Sequence, residues 1–307
     1  MKVVLLAGGV GGARLAQGLA AVCGPGELTV VVNTGDDFRH WGLRICPDLD
    51  TITYTLAGLA PEERGWGRAE EQFEVLQTMR QLGGDDWFLL GDRDLALHLL
   101  RTQRLEAGVR LTDIAAAVAN RLGVRVPILP AADAPWETRI GTEAYGDLRF
   151  QDWLVLHRAV PPARSVRFDG DATPTPEVVA ALKAADIVVV APSNPFVSIA
   201  PMLALPGFAA LLRSRPTIAV SPIVNGRAVK GPLAEMFPSL LGLEATAGAV
   251  ADWYGDLVGG WLVEPGDSGP LVAAGRRVES CNTVMGGLDG RVRLAERVLE
   301  AASRWRG

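Results

Sequence analysis

Val3-Val4-Leu5-Leu6-Ala7 is an uncharged, mostly branched run, and Gly8-Gly9-Val10-Gly11-Gly12 follows it at once. A short apolar run bounded by glycine predicts a buried parallel strand, with a tight turn leading into a helix over 13–22. Similar runs predict strands at 28–32, 187–191 and 217–221. Between them, 62–122 reads as mainly helical, with helices over 70–82, 94–102 and 111–122, the last begun by Thr112 as its cap. A helix over 51–59 precedes them, with Asp50 placed to cap it.

Residues 124–129 read as a return to the sheet. The stretches 137–142 and 146–155 alternate as a hairpin around Tyr145-Gly146. Thr175 and Pro176 open a helix that runs to about residue 184, Pro176 standing where its fixed φ suits the first turn. An amphipathic helix over about 289–304 ends the pattern. Strands alternating with helices predict one three-layer α/β/α domain over 1–307, mostly parallel, with an inserted helical and β-hairpin portion at about 62–168.

The glycine turn is suited to phosphate: the backbone can approach an anion closely, and the next helix presents free N–H groups and the positive end of its dipole. It is not a dinucleotide fingerprint. Counting from Gly9 and Gly11, the third small residue is replaced by Arg14, and the second strand ends in Asn33-Thr34 instead of an acidic ribose ligand. A nicotinamide or flavin dehydrogenase is disfavoured; a nucleotide-diphosphate site is not. Gly9, Gly11, Gly12, Asn33, Thr34 and, further on, Lys230 are the candidate nucleotide contacts.

Four acids follow strand ends in two clusters, Asp36-Asp37 and Asp48 with Asp50. Open α/β sheets bind ligands at this edge. Two carboxylates two positions apart suit Mg²⁺, which takes a few carboxylates together with phosphate oxygens and water. Beside them, Trp87-Phe88-Leu89-Leu90-Gly91-Asp92-Arg93-Asp94 sets charges of both signs next to aromatics, and Pro192-Ser193-Asn194-Pro195 is a stiff polar loop at another strand end. His98, one turn beyond Asp94, reads first as a hydrogen-bonded structural residue.

Composition narrows the partners. The formal net charge of -5 and the absence of basic runs argue against nucleic acid or a membrane surface. The apolar start is too short to span a bilayer, and three widely spaced cysteines suit reduced thiols in a cytoplasmic protein.

Taken together, 8–12, 33–37, 47–51, 90–94, 192–195 and 221–223, with Thr138, Phe150-Gln151 and Tyr254, resemble the 2-phospho-L-lactate transferases of coenzyme F-420 biosynthesis. The resemblance runs from residue 1 to about residue 250. It implies a Rossmann-like, Mg²⁺-dependent homodimer that moves a phospholactyl group, or phosphoenolpyruvyl in bacterial relatives, from a GDP-linked donor to the ribityl hydroxyl of the deazaflavin FO. The products are F-420-0 or its dehydro form, and GMP. By position, Asp50 matches an aspartate associated with FO and the metal, with Asp48 as companion ligand. A flat tricycle with a polar tail needs apolar walls and a few fixed polar groups, a mixture that Leu89, Arg93, Ser193 and Asn194 supply as the expected FO contacts. Leu89 stands where some relatives carry a lysine, so only apolar or backbone contact carries over. A distant branch with a similar glycine loop, which binds nucleotide sugars in regulation without turnover, is the alternative; the 47–51 and 92–94 segments favour the enzyme.

Overall fold

Strand β1 (Val3–Ala7) is buried along its length because helices cover both of its faces. Val3, Leu5 and Ala7 pack with Leu15 and Leu19 of α1 (Gly9–Val22) and with Leu294 and Val298 of the helix Gly287–Trp305, whereas Val4 and Leu6 face the opposite core with Val178, Phe196 and Phe208. A strand buried on both faces can be apolar at every position, which is why the run does not alternate. The computed structural model describes residues 1–229 and 231–305.

β1 lies inside a seven-stranded sheet whose strands, from one edge, are Arg277–Ser280, Gly260–Val263, Thr217–Val220, Ile187–Val190, β1, β2 (Leu28–Val32) and Ile128–Pro130. All six pairings are parallel. The chain leaves β1 for β2 on one side and later returns to Ile187–Val190 on the other, so the strand order reverses between β1 and Ile187–Val190. Crevices at such reversals, beyond the carboxyl ends of the strands, are where ligands bind.

The α/β/α expectation holds, with local differences. The first helix starts at Gly9, so the glycines form its opening turn. Phe38–His40 (β3) and Leu43–Ile45 (β4) pair as a hairpin turned by Trp41 and Gly42, both with positive φ, in a stretch read as loop. Pro47 opens α2 (Pro47–Leu56), placing Asp48 and Asp50 within its first turn instead of before it. The next helices are α3 (Glu74–Gln81) and α4 (Asp92–Glu106).

Thr112 does not cap the helix Leu111–Arg121; Arg110 precedes it, and the backbone N and Oγ1 of Thr112 both donate to Asp133. The 62–168 portion is not wholly inserted, because its Ile128–Pro130 is the edge strand of the main sheet beside β2. The part that leaves the sheet is an antiparallel trio of Gly146–Arg149, Glu137–Thr142 and Ser165–Asp169. The second hairpin strand stops at Arg149, after which Asp152–Leu156 coils into a wide turn closed by His157 N donating to Asp152 O. Among the described residues, no helix is long and apolar enough to cross a membrane.

Candidate active site

A cavity of about 700 Å³ opens at the strand-order reversal. Its floor is the turn after β1 and the loop after Ile187–Val190; the first turns of α2 and α4 form one side, and Ser221, Val224 and the 283–286 segment form the other. Trp66, Phe88, Leu89, Phe150 and Leu154 supply an apolar wall.

Each glycine of the turn has its own reason. A Cβ on Gly11 would lie 2.4 Å from Pro192 O, one on Gly12 would lie 2.9 Å from Ala7 Cβ, and one on Gly8 would lie 2.6 Å from Asp48 Oδ2. These three glycines therefore allow chain segments to touch one another. Gly9 differs, with φ +63° and nothing within 4 Å of its Cβ position. Ser193 ties the two floor segments: its hydroxyl donates to Gly8 O at 2.8 Å and accepts from Gly8 N at 3.3 Å. Gly9 N donates to Asp48 Oδ1 at 2.7 Å, so the helix-end N–H groups open to an anion are those that follow it.

Asp48 and Asp50 share a helical turn but not a direction, since positions two apart diverge by about 200°. Asp48 faces the glycine turn. Asn33 Nδ2 donates to Asp48 Oδ2 at 2.9 Å, Asp36 Oδ1 at 3.0 Å and Val197 O at 3.2 Å. Burial, opposed by the bonds from Asn33 and Gly9, pushes the Asp48 carboxyl up to about 6. Burial and the neighbouring Asp48 charge raise Asp36 well above the usual carboxylate range.

Asp50 points toward α4. Arg101 grips it with both terminal nitrogens: Nη1 lies 3.1 Å from Oδ2, and Nη2 bonds Oδ1. His98 Nδ1 lies 3.7 Å from Asp50 Oδ2, and His98 Nε2 lies 3.5 Å from Asp94 Oδ1, an electrostatic contact and not a hydrogen bond. Tyr54 OH donates to Asp94 at 2.7 Å. Burial would raise the Asp94 carboxyl, but His98 and Tyr54 outweigh it and hold it below the ordinary value. Ligand atoms of Asp50, Asp94 and His98 all lie within 4.8 Å of one another, so the donor trio pairs Asp50 with α4 and not with Asp48.

The Gly-Asp-Arg-Asp segment divides its labour. Asp92 accepts from Glu74 N and Val75 N and so caps α3, while Glu71 accepts from Arg93 N and Asp94 N at 2.9 Å each and caps α4. Of the three charged side chains, Asp94 lines the cavity. Arg93 points to solvent, its guanidinium 3.8 Å from exposed Glu70.

Gly9, Gly11, Asp48, Asp50, Leu89, Ser193 and Asn194 all line the cavity. Gly12, Asn33, Thr34 and Arg93 do not; Asn33 and Thr34 are buried, where Asn33 organises the acids. Lys230 lies outside the described residues. Asp36, one of the four acids at the expected ligand edge, lines the cavity, as do residues of the 283–286 segment, which the sequence did not single out; nor did it single out Arg101. Asp94, His98 and Arg101 stand at i, i+4 and i+7 on one helix face, a spacing that would have flagged Arg101.

The profile of the 2-phospho-L-lactate transferase CofD family matches residues 3–269. A phosphoenolpyruvate transferase of Kitasatospora aureofaciens is 43% identical over 297 residues, covering 92% of this chain and 91% of that protein. One from Streptomyces griseus is 41% identical over 314 residues, covering 98% of each. A solved structure of an upf0052 family member from Bacillus halodurans superposes with a TM-score of 0.65 at 18% identity, covering 97% of this chain and 98% of that one, a likeness of fold alone. The chain therefore belongs to the 2-phospho-L-lactate transferase (CofD) family, transferases of coenzyme F-420 biosynthesis.

Proposed function

We propose that this protein transfers a phosphoenolpyruvyl group from a GDP-linked donor to FO, giving dehydro-F-420-0 and GMP. What carries this function is the meeting, in one cavity, of a glycine turn at a helix N-terminus, buried carboxylates and an apolar wall. The enolpyruvyl form is favoured over phospholactyl because relatives about 40% identical over nearly the whole chain are phosphoenolpyruvate transferases.

The donor diphosphate lies on the helix end beyond Gly9, where N–H groups and the dipole favour negative charge. The flat ring of FO lies against Phe88, Leu89 and Phe150. Its terminal hydroxyl oxygen bonds to the phosphorus that bears the enolpyruvyl group. The bond from that phosphorus to the bridging oxygen breaks, and GMP departs with the electron pair. The hydroxyl proton passes to Asp48, whose carboxyl is tuned close to neutrality.

The residues fit a hard dication: Asp36, Asp48, Asp50 and Asp94 all line the cavity, and Asp50 and Asp94 each have oxygen lone pairs left over after their protein partners are counted. Asp50 and Asp94 would hold Mg²⁺, which when bound supplies charge neutralisation for the diphosphate. The protein works as a homodimer in the cytoplasm.

The test is to mix the protein with FO and Mg²⁺ plus either the enolpyruvyl or the lactyl guanosine donor, then measure GMP and the deazaflavin product. Faster release from the enolpyruvyl donor is expected. Faster release from the lactyl donor would overturn the donor assignment. Tight donor binding with no GMP from either would overturn transfer, in favour of a protein that binds nucleotides without turnover.

A further inference from the structure

Arg101 is buried, belongs to the middle of α4, and does not line the cavity. Its fork closes on both oxygens of Asp50, which does line it. Nη1 also lies 3.3 Å from Arg44 O and 3.5 Å from His98 Nδ1. One guanidinium thus grips one cavity carboxylate directly and lies beside His98.

Burying a charged pair gives little net stability compared with an apolar pair of similar volume. An Arg–Asp fork does fix direction, because two parallel N–H···O bonds leave the carboxylate no freedom to rotate. Among the described residues, the side-chain hydrogen bonds to the Asp50 carboxylate come from Arg101, with His98 at 3.7 Å and Asp94 within 4.8 Å of it.

We infer that Arg101 is a positioning residue for the transfer: it orients Asp50 toward the reacting groups. This rests on the reading of Asp50 given above. The guanidinium never meets substrate, so its effect belongs to the chemical step and not to binding. A displacement of about 1 Å at a reacting centre is enough to cost roughly 10²-fold in rate.

The test is Arg101→Lys, which keeps the charge but replaces a fork by a single point on a shorter reach. KM for FO and for the donor should stay within about threefold, with kcat falling roughly 10²-fold. FO binding, followed by its fluorescence, should be unchanged, whereas a collapsed site would lose it. In an Asp50→Asn background, Arg101→Lys should cost less than about twofold more, because it acts through the carboxylate already removed. If Arg101→Lys does not fold, the neutral pair Asp50→Asn with Arg101→Gln takes its place, with the turnover of Asp50→Asn expected. A kcat for Arg101→Lys near wild type while Asp50→Asn is crippled would overturn the positioning role, as would a further tenfold loss in either double variant. Full activity in Asp50→Asn alone would instead bring down the assignment of Asp50.

Discussion

Asp48 accepts the backbone N–H of Gly9 at 2.7 Å, so a carboxylate of α2 occupies the first donor of the helix end that faces the cavity. The two segments, 39 residues apart, form one unit, and the charge state of Asp48 matters to both.

That relationship gives a pH dependence. Folded Asp48 holds its proton up to about 6 against an ordinary 3.8, so between those values the folded state binds more protons than the unfolded one. Stability is therefore expected to fall as pH rises through that window and to level off above it, by at most roughly 3 kcal/mol. Asp36, raised by burial beside it, acts in the same sense. Melting the metal-free protein at about pH 5 and about pH 7 checks this: wild type should melt higher at the acid end, and Asp48→Asn should flatten the difference. A wild-type midpoint that climbs over that interval would refute it.

Asp50→Asn should lower turnover roughly 10²-fold, as expected for loss of a principal electrostatic contact. It should also lower stability, because Arg101 is then buried against a neutral amide. Breaking a buried pair costs about 3–5 kcal/mol. Denaturant melts read alongside kinetics should register both losses; an unchanged melt would mean that Arg101 finds another partner.

Gly11→Val tests phosphate binding poorly, since its side chain would collide with Pro192 O. Gly9→Ala is the informative change. Its Cβ meets nothing in the protein, and the positive φ costs about 1 kcal/mol. Calorimetry should register a folded protein with weakened GDP binding and unaltered FO binding; equal GDP affinity would move the diphosphate away from this turn.

For the acceptor wall, Arg93→Ala should leave FO affinity unchanged because that side chain faces solvent. Phe88→Ala should weaken it by roughly tenfold through lost apolar contact. Fluorescence titration of FO separates the two, and an Arg93→Ala loss as large as that of Phe88→Ala would reverse the geometry described.

The sequence by itself determined the layers and the ligand-binding edge. Apolar runs such as 3–7 and 187–190 can be satisfied only by burial on both faces, and glycines or prolines directly after them force turns at the same end of the sheet. Thr175 with Pro176 likewise fixed a helix start, since the cap bond from Val178 N is local. Tertiary structure decided which side chains meet. Asp48 and Asp50 look like a pair along the chain, yet helical geometry turns one toward Gly9 and Asn33 and the other toward Arg101 and His98 on α4. The strands Gly260–Val263 and Arg277–Ser280 were illegible because one opens on glycine and the other is mostly polar, so that they become strands only by pairing with neighbours. Asn33 looked like a ligand contact and became the hub beneath the acids, because a buried amide takes whatever acceptors the fold brings to it, here from residues 3, 15 and 164 positions away.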